Sequence, residues 1–276
     1  MRKIMLATTV MALSLALSAG VALATNFDCA VDPAALCQGG NNDDEFTGED
    51  VDDGVQGRKD IIEGLGGSDG AEGNGGNDRI LGGDGSDGDV NVNNELDGGT
   101  GNDYVDGGDN ADALIRGGRG RDTVNGGSGA DEDVLGDNGN DTVDGGRGDD
   151  EEVEGSDGDD TVRGGPGDDE NVEGDDGDDT VIGGPGNDGD VGSADYELEG
   201  GRGDNTVHGN DGDDLIDADG SDPGDVEDIF GDDDDDTIEA VDGEVDNIDC
   251  GDNTDTVTFD DGIDTVDLNC ENQFPV

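Results

Sequence analysis

Between residues 98 and 181 the β-branched aliphatic side chains stand apart along the chain. Val105, Ile115, Val124, Val134, Val143, Val153, Val162, Val172 and Val181 follow one another at alternating intervals of ten and nine residues. Each belongs to a unit that opens on glycine: GGTGNDYVD, GGDNADALIR, GGRGRDTVN, GGSGADEDVL, GDNGNDTVD, GGRGDDEEVE, GSDGDDTVR, GGPGDDENVE, GDDGDDTVI. Glycines, mostly at positions one, two and four, permit left-handed or closely approaching backbone. The D-x-V tail sends one β-branched side chain inward and its neighbours outward. Every unit therefore predicts a turn followed by a very short strand.

The polar positions keep the same register. The sixth residue is aspartate throughout this set: Asp103, Asp112, Asp122, Asp131, Asp141, Asp150, Asp160, Asp169 and Asp179. Two units make a coil of 19 residues, so Tyr104, Thr123, Thr142, Thr161 and Thr180 recur at that interval. Coils stacked at strand spacing form two parallel sheets that face each other across a thin aliphatic ladder, which is a solenoid. The pattern continues upstream through Asp44, Asp53, Asp60, Asp69, Asp78 and Asp87. Downstream it reaches Asp188, Asn205 in place of aspartate, Asp214 and Asp236. The longer spacings near 88–97, 189–199 and 218–230 predict loops leaving the stack.

Composition sharpens the problem this fold has to solve. The chain carries 78 Asp and Glu against 11 Lys and Arg, with 3% aromatic residues and no tryptophan, a balance typical of disorder. Ordering a residue costs about 1 to 2 kcal/mol of backbone entropy, while one buried valine returns about 2 kcal/mol. Burial alone cannot fold such units. Aspartates stacked at about 4.8 Å repel by about 1 kcal/mol even at the dielectric constant of water. Something cationic must compensate, and it is not nucleic acid or an anionic membrane surface, both of which reward Lys and Arg. Divalent cations and basic proteins remain as partners.

Enzyme chemistry finds no support in the pattern. His208 is the only histidine, H-E-x-x-H does not occur, and paired carboxylates such as Asp149 and Asp150 recur by periodicity. The tripeptides Arg147-Gly148-Asp149 and Arg202-Gly203-Asp204 fall where the repeat already places glycine and aspartate.

Residues 1–24 read as a cleavable secretory leader: Arg2 and Lys3, an apolar run from Ile4 to about Leu17, and the small-x-small site Ala22-Leu23-Ala24. An exported chain can keep disulfides. Cys29, Cys37, Cys250 and Cys270 allow three pairings, and proximity favours Cys29 with Cys37 and Cys250 with Cys270 as terminal staples.

GGRGRDTVN and GGTGNDYVD resemble the nonapeptide G-G-x-G-x-D-x-U-x of RTX, or hemolysin-type, calcium-binding repeats, U being a large apolar residue. The resemblance covers roughly residues 39–239, between an N-terminal cap over 25–38 and a C-terminal cap over 240–276. It implies an all-β fold, a right-handed parallel β-roll of two-strand coils, in which the first six residues of a unit bind Ca²⁺ and the last three form the strand. It also implies that Asp44, Asp78, Asp103, Asp112, Asp122, Asp131, Asp141, Asp150, Asp160, Asp169, Asp179, Asp188, Asp214 and Asp236 supply carboxylate ligands, joined by main-chain carbonyls of the turns. Oxygen-only coordination suits hard Ca²⁺. The ten-residue units predict a bulge or a displaced strand on one sheet of each coil. The ending DNIDCGDNTDTVTFDDGIDTVDLNC resembles the cap of exported repeat proteins, with Val257, Phe259, Val266 and Leu268 closing the last coil.

These readings predict a secreted, non-enzymatic calcium-binding protein, disordered without Ca²⁺, with a structural role at the cell surface or in the extracellular matrix. The alternative is a calcium-stabilised adhesion or accessory module for a polysaccharide or protein partner. Plain halophilic acidity is a third reading, in which monovalent salt would fold the chain as well as calcium does.

Overall fold

The computed structural model describes residues 61–66, 69–84, 87, 95–189, 197–218 and 224–276, together with the backbone of strands Thr25–Asp28, Leu36–Gln38 and Asp44–Thr47. The expected leader, Cys29, the side chains of Cys37 and Asp44, and Asp53 and Asp60 lie outside the described residues.

Among the described residues every regular element is a strand, and all named pairings are parallel. Successive strands alternate between two sheets. One runs from Thr25–Asp28 to Asn272–Pro275, and the other from Leu36–Gln38 to Thr265–Val266. In the central coils each residue pairs with the one 19 positions on: Tyr104 with Thr123, Thr123 with Thr142, Thr142 with Thr161, Thr161 with Thr180. The chain is an all-β parallel solenoid with 19-residue coils. The longer spacings leave the pairing intact, since Val172 faces Leu198 and Val207 faces Ile229 as directly as Val143 faces Val162.

The strand Thr142–Arg147 shows how a unit folds. Val143 is fully buried, Thr142 and Asp144 are half-exposed on the outer face, and Gly145 is the next inward position. Glycine is needed there because a Cβ would sit 2.6 Å from Oδ2 of Asp150 and 2.7 Å from the Gly164 carbonyl. Position four is tighter still. Gly158 has φ +145°, and a Cβ on it would lie 1.2 Å from the carbonyl oxygen of Gly139 in the preceding coil. The interior therefore consists of one aliphatic ladder per sheet, every member from Ile80 to Val181 being at most 1% exposed, flanked by buried aspartates.

The ten-residue units fit without displacing a strand. Their additional residue, Ala113, Glu132, Glu151 or Glu170, lies between the sixth-position aspartate and the strand, the three glutamates exposed. Its N–H donates to the carbonyl of the aspartate one coil earlier, as from Glu151 to Asp131 at 2.9 Å. Pairing of Val134 with Val153 and Val153 with Val172 continues in register, so the extra residue makes a repeated bend at the strand entrance.

Both sheets run on through residues 240–276 by way of Asn247–Asp249 and Thr256–Phe259. Cys250 and Cys270 form a disulfide, both sulfurs turned inward. Val257 is buried and Phe259 and Val266 pack against the core, but Leu268, expected to help close the last coil, is 97% exposed. Leu268 stands on the turn that carries the chain from Asp267 to Cys270: its N–H donates to Asp267 Oδ1, and the inward pull of Cys270 leaves it on the outside.

Candidate metal centre

The sixth-position aspartates form two ladders, one beside each sheet, and nearly all their side chains are buried. In the first, the Asp103 N–H donates to Asp122 Oδ1 at 2.6 Å, Asp122 to Asp141 at 2.7 Å, Asp141 to Asp160 at 2.6 Å and Asp160 to Asp179 at 2.7 Å. In the second, Asp112 donates to Asp131 at 2.8 Å, Asp131 to Asp150 at 2.8 Å, Asp150 to Asp169 at 2.9 Å and Asp169 to Asp188 at 3.0 Å. The ten-residue units thus hold their aspartates as the nine-residue units do. Asp78 opens the first ladder on Asp103, and Asp214 and Asp236 extend the second. Of Asp44 only the backbone, in the strand Asp44–Thr47, is described.

One oxygen of each carboxylate is thereby used. The other, Oδ2 of Asp87, Asp103, Asp112, Asp122, Asp131, Asp141, Asp150, Asp160, Asp169, Asp179, Asp188, Asp214 and Asp236, is buried and meets no hydrogen-bond donor. A buried acceptor without a partner costs about 1 to 3 kcal/mol, and more when charged. Burial accordingly pushes the carboxyl groups up: Asp122, Asp131, Asp150 and Asp160 to about 6, Asp87, Asp103, Asp141, Asp179, Asp188 and Asp214 to about 7, and Asp112, Asp169 and Asp236 to about 8. The backbone N–H bond opposes this shift in each case, and for most of these groups like charge on neighbouring carboxylates adds to it.

Asn205 reveals what these oxygens face. It occupies the ladder, its Oδ1 accepting the Asp179 N–H at 2.8 Å. Its second atom is a donor, and Nδ2 gives a hydrogen bond to the Gly201 carbonyl at 3.1 Å. The Asp160 carboxylate is placed alike: a Cβ on Gly155 would be 2.7 Å from Asp160 Oδ2, and one on Gly200 would be 2.7 Å from Asn205 Nδ2. Asparagine fills the position with a donor, whereas aspartate presents an oxygen toward the carbonyl-lined turn. A proton or a cation resolves that arrangement, and the donor set of carboxylate and carbonyl oxygens fits Ca²⁺.

A further, outer ladder at position five is absent from the sequence reading. Here the later coil donates to the earlier one, from the Asp168 N–H to Asp149 Oδ1 at 3.1 Å, Asn187 to Asp168 at 3.0 Å and Asp235 to Asp213 at 3.1 Å. The signal was the recurrence of Asn or Asp at position five, which merged with the general acidity. Asp149 and Asp204, the acids of the two Arg-Gly-Asp tripeptides, both accept in this ladder, Asp204 from Val226 at 3.1 Å. The inner ladders also include Asp69, Asp87 and Asp255, through Asp69 N–H to Asp87 and Asp236 N–H to Asp255. His208 lies on the outer face, stacked on Phe230 at 4.5 Å with Nδ1 2.9 Å from Asp232 Oδ2.

Comparison with individually curated proteins gives no match. The family model of the RTX calcium-binding nonapeptide repeat, which spans four copies, matches residues 56–88, 91–115, 114–132, 133–152, 150–170 and 197–222, together half of the chain. Repeats of this family bind Ca²⁺, and with its turns, its buried aspartates and this match the chain belongs to the RTX calcium-binding repeat family.

Proposed function

We propose that the protein is an exported, non-enzymatic calcium-binding solenoid whose ions hold its fold together at the cell surface or in the extracellular matrix. The ligands are the sixth-position carboxylates Asp44, Asp78, Asp103, Asp112, Asp122, Asp131, Asp141, Asp150, Asp160, Asp169, Asp179, Asp188, Asp214 and Asp236, completed by carbonyls of the glycine turns. The observation that supports this reading best is the row of buried Oδ2 atoms without donors, interrupted at Asn205, which brings its own.

Bound Ca²⁺ would supply positive charge at the turns and accept their carboxylate and carbonyl oxygens. The chain's own residues do the rest. Oδ1 of the ladder aspartates from Asp103 to Asp236 ties one coil to the one before it, the position-one glycine leaves room for the carboxylate, and the valines exclude water from the other side. Without the ion, like charges stacked at about 4.8 Å repel by about 3.5 kcal/mol per neighbouring pair at an effective dielectric constant of 20. A thin aliphatic core cannot offset that, so the apo chain is unfolded and folding is coupled to binding. Export of an unfolded chain into millimolar calcium follows naturally, since extracellular sites bind at about 10⁻⁴ to 10⁻³ M.

Titration calorimetry of the chelated protein at pH 7.5 tests the reading. Several ions per chain should bind at sub-millimolar to millimolar calcium with a heat that includes folding, and no uptake in that range would overturn it.

A further inference from the structure

We propose a second kind of cation site, made of the carboxylates of Glu227, Asp242 and Asp246 in the coils that follow residues 219–223. It lies beyond the last residue matched to the repeat family and does not depend on the turn sites.

Glu227 stands where the first ladder expects aspartate. The Asp228 N–H donates to the Asn205 carbonyl at 2.9 Å and the Asn247 N–H to the Glu227 carbonyl at 2.8 Å, repeating what Thr142 and Thr161 do around Asp141. Asp246 takes the same place one coil later. The backbone is therefore regular here, and the side chains are not. Glu227 is 1% exposed and Asp246 fully buried; their carboxylates face each other with the Glu227 N–H directed at Asp246, and no donor reaches any of the four oxygens in full hydrogen-bond geometry. The third carboxylate, Asp242, comes from the segment after strand Thr237–Ala240 and is fixed by the Glu244 N–H on its Oδ1 at 2.9 Å. One carboxylate oxygen from each of the three lies within 4.8 Å of the others. Oxygens that share a calcium at about 2.3 to 2.6 Å are at most about 5 Å apart, so the cluster has the right size.

Nothing in this part of the chain can neutralise three carboxylates. No Lys or Arg follows Arg202. The similar group Glu154, Glu173 and Asp175 is half-exposed and can be left to water, but Glu227 and Asp246 cannot. A bound divalent cation with hard-oxygen preference supplies the missing charge. Glutamate at the ladder position, with its longer side chain, then serves to reach a ligand from outside the ladder.

Crystals of the full chain grown in CaCl₂ and exchanged into terbium would test this by their anomalous difference map. The expected result is a peak bonded to all three carboxylates that is lost in Glu227→Gln while the peaks at the glycine turns persist. Should that variant fail to fold, Asp242→Asn, on a half-exposed segment, should still lower the peak at this position alone. Absence of the peak with the turns occupied, as a proton shared by Glu227 and Asp246 would give, overturns the proposal and leaves the turn sites standing. A peak here with empty turns supports it and overturns the turn reading instead.

Discussion

Replacing Asn205 by aspartate should reverse its effect on stability as calcium rises. The substitution keeps the Oδ1 contact to the Asp179 N–H and removes the Nδ2 donor to the Gly201 carbonyl. Losing that hydrogen bond costs about 1 kcal/mol, and burying an oxygen against a carbonyl adds about 1 to 3 kcal/mol. At calcium just sufficient to fold the chain, Asn205→Asp should thus be less stable than the parent by about 2 to 4 kcal/mol. It also acquires the donor set of its neighbours and with it one more ion. Each additional bound ion steepens the calcium dependence of stability by about 1.4 kcal/mol per tenfold rise in free calcium. At a hundredfold excess over a dissociation constant of about 10⁻⁴ M the added site contributes about 2.7 kcal/mol, enough to cancel most of the deficit. Urea denaturation at several buffered calcium concentrations, followed by circular dichroism, reads both quantities. A deficit that stays constant from low to high calcium would refute the idea that the aspartate oxygen faces an ion position.

The remaining predictions concern protons and glycine. The ladder aspartates have folded-state pKa values raised to about 6 to 8, so the folded apo chain binds more protons than the unfolded one. Their contribution to apo stability is full below about pH 4, the range of an ordinary aspartate, and is lost as the pH rises through 6 to 8. In chelator, strand content should therefore increase as the pH is lowered from 8 toward 4.5, and apparent calcium affinity should weaken over the same range; a chelated chain equally disordered across it would contradict the desolvation argument. Gly158→Ala, whose Cβ would overlap the Gly139 carbonyl at a positive φ, should cost at least about 3 kcal/mol in calcium-loaded stability by chemical denaturation, from overpacking and left-handed strain together.

The sequence disclosed the coil because register survives where composition misleads. One aspartate and one apolar residue per unit, two or three positions apart, placed Asp141 beside Val143 and Asp150 beside Val153, and the buried ladders follow that reading. The same D-x-apolar signal is present in Asp246 with Ile248 and Asp255 with Val257, where irregular spacing obscures it, and the strands of this C-terminal segment continue both sheets. Leu268 was misassigned because an apolar residue near the end of a solenoid suggests closure, and only the covalent turn to Cys270 decides which way it faces. Other features depend on contacts between coils that spacing alone does not specify. The opposite polarity of the inner and outer Asx ladders is one, and the meeting of Asp242 with Glu227 and Asp246 is another.

The central claim is that calcium, rather than the aliphatic ladder or general screening of charge, makes this chain fold. Far-ultraviolet circular dichroism of the protein at pH 7.5 in chelator, in millimolar CaCl₂ and in KCl of much higher ionic strength tests it most directly. A disordered spectrum in chelator and in KCl, converted to a β spectrum by calcium alone, is the result expected. Strand already present in chelator, or restored equally well by KCl, would contradict it.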